Sequence, residues 1–209
     1  RSGPAAPRRR RLIAVRFLAL GDSYTIGEGV AEDQRWPNHW AASLRALGAE
    51  IETPRIIAQT GWTTDELSAA MNALEPLGQW DLVSLLIGVN NQYRGRDLQN
   101  YREEFSALLE RAIALAGGDA GRVLVLSIPD WGVTPFARDG QRDLARIADQ
   151  IDDYNAVNRD VSESRGAVWR DITDLTRDFG ARRDMLADDG LHPSGAMYAL
   201  WVERLMDTM

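Results

Sequence analysis

Five short apolar runs punctuate the chain, separated by longer stretches in which apolar residues recur at helical spacing. Residues 12–20, 51–60, 82–87, 123–127 and 168–172 read as strands. Leu82-Val83-Ser84-Leu85-Leu86-Ile87 and Val123-Leu124-Val125-Leu126 are nearly continuous apolar runs, the pattern of parallel strands buried on both faces. Leu98, Tyr101, Phe105, Leu108, Leu109, Ala112 and Leu115 predict one helix, and Leu144, Ile147, Ile151, Tyr154 and Val161 predict another. Tyr198, Val202, Leu205 and Met206 predict a last amphipathic helix, and Thr63 with Glu66 forms a capping box that starts one just after Gly61-Trp62. Alternating strands and helices imply a doubly wound α/β sheet with helices on both faces. Pro54 cannot donate to a sheet ladder, so the second strand is expected at an edge, where a 2-1-3-4-5 order puts it.

Composition narrows the class without changing that picture. At 209 residues the chain suits one domain, read as residues 11–209 behind a flexible basic tail, residues 1–10. No apolar run approaches the roughly 18 residues of a membrane span. A net charge of -7 argues against a nucleic-acid partner, although Arg8-Arg9-Arg10-Arg11 is a local exception read as part of the tail. The basic-then-apolar order there mimics a signal peptide. Its apolar part runs into Gly21-Asp22-Ser23 without a small-residue cleavage site, so a cytoplasmic location is the expectation, with a periplasmic or secreted one the alternative if an N-terminal signal was removed. There is no cysteine, which excludes disulfides, thiolate chemistry and sulfur-ligated metals. All 24 basic residues are arginine, which excludes Schiff-base chemistry and a Ser-Lys dyad.

Ligands of open parallel sheets bind beyond the carboxyl ends of the strands, where the strand order reverses. Ser23 follows the first strand, Gly61 the second and Asn90 the third, so all three reach one edge of the sheet. Acyl transfer requires a nucleophile, a base, an orienter for the base and donors for an oxyanion. Ser23 is the candidate nucleophile and His192 the base. Asp189, three residues before His192, either orients the imidazole or only caps the turn while a backbone carbonyl does the orienting. The backbone N–H groups of Ser23 and Gly61 and the side-chain amide of Asn90 are the candidate oxyanion donors. Taken singly, each residue reads as an ordinary turn, cap or core residue; the signal lies in the set and its order. His39, the only other histidine, opens a helix without a carboxylate at triad-like spacing and reads as a packing or surface residue. Two separated histidines offer no metal cluster, and no cofactor is expected.

These residues resemble the motif blocks of the SGNH hydrolases, the GDSL-type esterases and lipases. The blocks match Gly21-Asp22-Ser23-Tyr24, Gly61, Gly88-Val89-Asn90-Asn91 and Asp189 to His192, over a span of roughly residues 12–209. Tyr24 stands where the name-giving Leu often does, and one departure is visible: Asn91 replaces an Asp that would brace the third block. The resemblance implies a three-layer α/β/α flavodoxin-like fold and esterase, lipase, thioesterase or carbohydrate-deacetylase activity. The Gly-x-Ser-x-Gly elbow of the α/β-hydrolases occurs nowhere.

Asp22, Trp62, Asn91, Tyr93, Arg94 and Trp131 are read as substrate-binding, lining an open, polar pocket for short acyl esters or acetylated sugars. The alternative for the tryptophans is core packing. An acyltransferase using the same residues, or a noncatalytic binding module, are the other function classes. Oligomeric state is not legible in the sequence.

Overall fold

A computed structural model of the chain describes residues 14–207; the basic segment Arg8 to Arg11 and the start of the first expected strand lie outside them. The sheet has five strands: β1 (Phe17–Gly21), β2 (Arg55–Ala58), β3 (Leu82–Leu86), β4 (Val123–Leu126) and β5 (Val168–Arg170). Their order is β2-β1-β3-β4-β5 and every pairing is parallel. The expected α/β architecture and strand order are therefore present. The strands are shorter than the apolar runs suggest. β2 begins at Arg55, immediately after Pro54, and on the other side of the proline pairing is reduced to an isolated parallel bridge between Val15 and Ile51.

Nine α-helices surround the sheet: α1 (Ser23–Ile26), α2 (Trp36–Ala46), α3 (Thr64–Ala73), α4 (Val89–Tyr93), α5 (Leu98–Leu115), α6 (Pro135–Arg138), α7 (Leu144–Ser164), α8 (Thr173–Phe179) and α9 (Gly195–Met206), all counted among the described residues. One group, α3, α5 and α7, packs side by side, and α9 packs against α2 and α8 in a second group. The heptad-like stripe of α5 is buried from Tyr101 to Leu115, and Tyr101 stacks on Tyr154 of α7 with ring centroids 4.5 Å apart. On the α2–α9 side, Phe17 of β1 meets the edge of Trp40 at 5.5 Å, and Trp36 and Trp201 are fully buried. The aromatic residues thus pack on the start of β1 from the α2 side.

β1 and β3 are adjacent, and the crevice between their carboxyl ends is the point where strand order reverses. Both strands run out at glycine. A side chain on Gly21 would come 2.6 Å from the Leu86 carbonyl oxygen and 2.3 Å from Thr25 Oγ1. Gly88 has φ of 134°, and a Cβ there would lie 2.7 Å from the Tyr101 ring. Only glycine lets α1 and α4 start this close together.

Candidate active site

The apolar strand β1 is followed by Asp22, which caps α1: its Oδ1 accepts the Tyr24 N–H at 3.0 Å. Ser23 is therefore the first residue of a helix, where the backbone N–H has no intrahelical acceptor. Its neighbour Tyr24 is held from the other end of the fold, since the Tyr198 hydroxyl of α9 donates to the Tyr24 carbonyl at 3.0 Å.

Asp22 is fully buried and its Oδ2 has no hydrogen-bond partner. Burial pushes its carboxyl up to about 7, and the Tyr24 N–H bond holds it from rising further. The sign of the stability effect follows. The folded state binds this proton more tightly than the unfolded chain, so stability falls as pH climbs from the carboxylate range through about 7. Asp22→Asn keeps the cap acceptor and removes the charge. Its melting temperature relative to wild type should rise between pH 5 and pH 8, by the equivalent of a few kcal/mol at most. Thermal unfolding at both pH values checks this, and a difference independent of pH would contradict it.

His192 sits on a tight loop closed by an antiparallel bridge between Leu186 and Pro193 and by the Ala187 N–H donating to the His192 carbonyl at 2.8 Å. Asp189 builds the inside of that loop. Its Oδ1 accepts the N–H groups of Leu191 and His192, both at 2.9 Å, and its Oδ2 lies 2.5 Å from His192 Nδ1. Asp189 thus caps the turn with one oxygen and meets the ring with the other, so the carboxylate, and not a backbone carbonyl, stands on Nδ1. Partial burial works against its charge, but the hydrogen bonds from the ring and the two backbone N–H groups outweigh it and hold the carboxyl below its ordinary range. With an ionised carboxylate on Nδ1, the proton of a neutral imidazole belongs there and Nε2 keeps its lone pair. The Tyr24 ring meets the imidazole edge-on at 5.8 Å, a further wall against rotation.

Gly61 lies in the turn after β2 with φ of 88°. Three side chains from elsewhere hold this turn. Thr60 donates to Glu28, Asn90 Nδ2 donates to the Trp62 carbonyl at 2.9 Å, and Arg94 donates to the Gly61 carbonyl at 2.6 Å. One hydrogen of the Asn90 amide is thereby spent, which fixes its plane and leaves the second available. The loop and turn hydrogen bonds engage neither the Ser23 nor the Gly61 N–H.

Ser23, Gly61, Asn90 and His192 come together in the wall of one cavity of about 230 Å³. Tyr93 and Trp131, both expected at the substrate, line it too, together with Thr60, Val89, Phe136 and Leu191, which sequence reasoning missed. Trp131 is at once wall and packing residue: it is 5% exposed and its indole N–H donates to Gln92 at 2.8 Å.

Four of the expected substrate-binding residues are placed differently. Asp22 is buried beneath the serine as a helix cap. Asn91 is also fully buried. Its Oδ1 accepts the Thr64 N–H at 3.1 Å and its Nδ2 donates to Thr64 Oγ1 at 2.7 Å, tying α4 to the start of α3. The amide therefore braces the third block without a carboxylate, and because it donates to Thr64, the Thr64 hydroxyl is free to donate to Glu104. Trp62 is half-buried against the core and meets Asn90 through its carbonyl. Arg94 is spent on the Gly61 carbonyl and on Glu66, 3.3 Å away. His39 lies within α2 and does not border the cavity. Among the described residues no three His, Asp or Glu side chains cluster as metal ligands would, and no helix is long and apolar enough to cross a membrane.

The family model of the GDSL-like lipase/acylhydrolase family matches residues 19–200. Among solved structures, that of TesA superposes with a TM-score of 0.71 at 20% identity, covering 92% of this chain and 97% of its own. The psychrotrophic esterase EstA from Pseudoalteromonas sp. gives 0.69 at 18% identity, with 92% and 94% covered. The acetyl xylan esterase AlAXEase gives 0.72 at 15% identity, with 93% and 100% covered. At these identities the likeness shows a shared fold. A search of curated proteins found no match.

Proposed function

Because this chain belongs to the GDSL-like lipase/acylhydrolase family, we propose that it is a serine hydrolase of carboxylic esters, acting through an acyl-Ser23 intermediate. The observation that carries this reading is the convergence of Ser23, Gly61, Asn90 and His192 on one cavity, with Asp189 fixed on His192 Nδ1 at 2.5 Å.

Ser23 Oγ attacks the ester carbonyl carbon while His192 Nε2 takes its proton. The carbonyl oxygen becomes an oxyanion facing the Ser23 and Gly61 N–H groups and the remaining Asn90 N–H, each such donor being worth about 2.7–4 kcal/mol of barrier. Collapse breaks the bond to the alcohol oxygen, which leaves with the proton from Nε2. Water then repeats the sequence on the acyl-enzyme and returns the free acid and Ser23.

The substrate we assign is a small-molecule or carbohydrate ester with a short acyl group. A cavity of about 230 Å³ is below the roughly 300–1,000 Å³ of pockets for drug-sized ligands. Turnover of 4-nitrophenyl acetate, butyrate and octanoate tests both statements. Acetate and butyrate should show the higher kcat/KM, by about tenfold over octanoate if two or more methylenes are excluded from the cavity. A faster octanoate reaction overturns the short-acyl assignment, and no turnover of any of the three counts against the esterase reading itself.

Arg94 is a positioning residue in this scheme, acting through the Gly61 carbonyl. Its ion pair with Glu66 is exposed on both sides, so its loss should change stability by less than about 1 kcal/mol. Arg94→Ala should nonetheless lower kcat by about tenfold, because the Gly61 N–H loses its fixed direction. KM should change less than kcat, and Arg94→Lys should recover part of the loss. Unchanged kcat in the alanine variant would remove Arg94 from the scheme.

A further inference from the structure

A second, open groove of about 490 Å³ runs beside the cavity, lined among others by Gln92, Tyr93, Trp131, Arg142, Arg146 and Gln150. Tyr93 and Trp131 belong to both, so the groove and the cavity share a wall. Tyr93 is 53% exposed and meets Trp131 edge-on at 5.3 Å, leaving one face of its ring open.

The two arginines of this groove differ from those around the Gly61 turn. Arg94 and Arg96 are taken up by Glu66 and Asp65. Neither Arg142 nor Arg146 has a carboxylate within the 4.0 Å of an ion pair among the described residues. Arg142 is half-buried and pre-oriented. Its guanidinium lies 4.6 Å from the Phe136 ring centroid and 5.5 Å from that of Trp131, and one N–H goes to the Phe136 carbonyl at 2.7 Å. Four of its five N–H donors remain. Arg146 stands in the first turn of α7 on the same groove. The groove's only carboxylate, Asp143, spends an oxygen capping α7. On the far side of Phe136 the lining turns acidic, with Asp139, Asp188 and Asp189 and no cation other than Arg142. In a chain of net charge -7, an anion approaching the serine is repelled on that side and attracted on this one.

We propose that Arg142 and Arg146 form a subsite for a carboxylate carried by the ester, so that anionic esters are preferred over neutral ones of the same size. This rests on the hydrolase reading of the neighbouring cavity. A guanidinium fork matches a planar carboxylate, and the open Tyr93 face supports the part of the substrate that links it to the scissile bond.

Two ester pairs locate the carboxylate: phenyl acetate against 3-carboxyphenyl acetate for the alcohol side, and 4-nitrophenyl hexanoate against mono-4-nitrophenyl adipate for the acyl side. Wild type should favour the anionic member of one pair by about tenfold in kcat/KM, as one charge-assisted hydrogen bond allows. R142Q/R146Q should lose that preference while its rate on the neutral esters stays within about twofold. Raising salt should reduce the wild-type preference in the same direction. Equal preference in wild type and the double variant, or equal slowing of neutral and anionic esters, overturns the proposal and leaves the arginines as packing for Phe136. Binding of 3-hydroxybenzoate against phenol to the Ser23→Ala protein, read by tryptophan fluorescence, separates the two readings. Tighter binding of the anion that disappears in R142Q/R146Q supports the subsite even if no ester is turned over, and equal binding of both ligands overturns it.

Discussion

Ser23→Ala should reduce kcat for 4-nitrophenyl acetate to the background set by the remaining cavity, a loss of about a millionfold where a serine triad acts as a unit. The chain has neither cysteine nor lysine, so no thiolate or amine can be recruited in its place. The fold should not suffer. Ser23 is 4% exposed, and its hydroxyl is not among the buried atoms left without a partner nor tied into the hydrogen bonds that hold α1, which rest on Asp22 and Tyr24. A melting temperature within a degree or two of wild type, with activity at background, is the expected pair of results. Equal turnover by the two proteins would mean that the ester is cleaved elsewhere.

Asp189→Asn should be nearly as damaging, lowering kcat by about ten-thousandfold with KM little changed, as with an asparagine that imposes the wrong imidazole tautomer. The geometry says why. Oδ1 accepts two backbone N–H groups at 2.9 Å, so the carbonyl oxygen of the asparagine is obliged to take that place. The NH2 group then faces His192 Nδ1 where Oδ2 was, 2.5 Å away. It can only donate, so Nδ1 becomes the acceptor and the ring proton moves to Nε2. The base is then protonated on Nε2, the nitrogen proposed to take the Ser23 proton. Asp189→Ala lacks this inversion and should keep more activity than the asparagine variant. The opposite ranking would show that the cap matters more than the tautomer.

The fold was legible because its strongest determinants are local and repetitive. Continuous apolar runs announce strands buried on both faces, and Pro54 marks the edge from sequence alone. The juxtaposition of Ser23, Gly61 and Asn90 followed from the strand order, since each ends a strand at the same edge. What was illegible is which way a polar residue beside the site faces. Asp22 and Asn91 stand next to Ser23 and Asn90 in sequence, yet one turn of helix separates cavity from core, and both point inward to cap or tie backbone. Arg94 lies close to the site but is spent on a carbonyl whose position depends on a contact 33 residues away. Phe136 was missed for the complementary reason. It carries no chemistry of its own and reaches the cavity only because the Phe136 N–H bonds to the Gly190 carbonyl of the histidine loop at 3.2 Å.

The Tyr198 to Tyr24 hydrogen bond closes a separation of 174 residues. Contacts of that reach carry a larger loop-closure cost than local ones, so they are expected to complete late in folding. Helices such as α5 and α7 have hydrogen bonds that are local in sequence and are expected to form earlier. A collapsed chain with most of its secondary structure in place would still have the serine turn on one side unclasped and the histidine loop undocked. Assembly of the pocket thus coincides with completion of the whole fold, and a partly folded chain presents no finished site to any ester it meets.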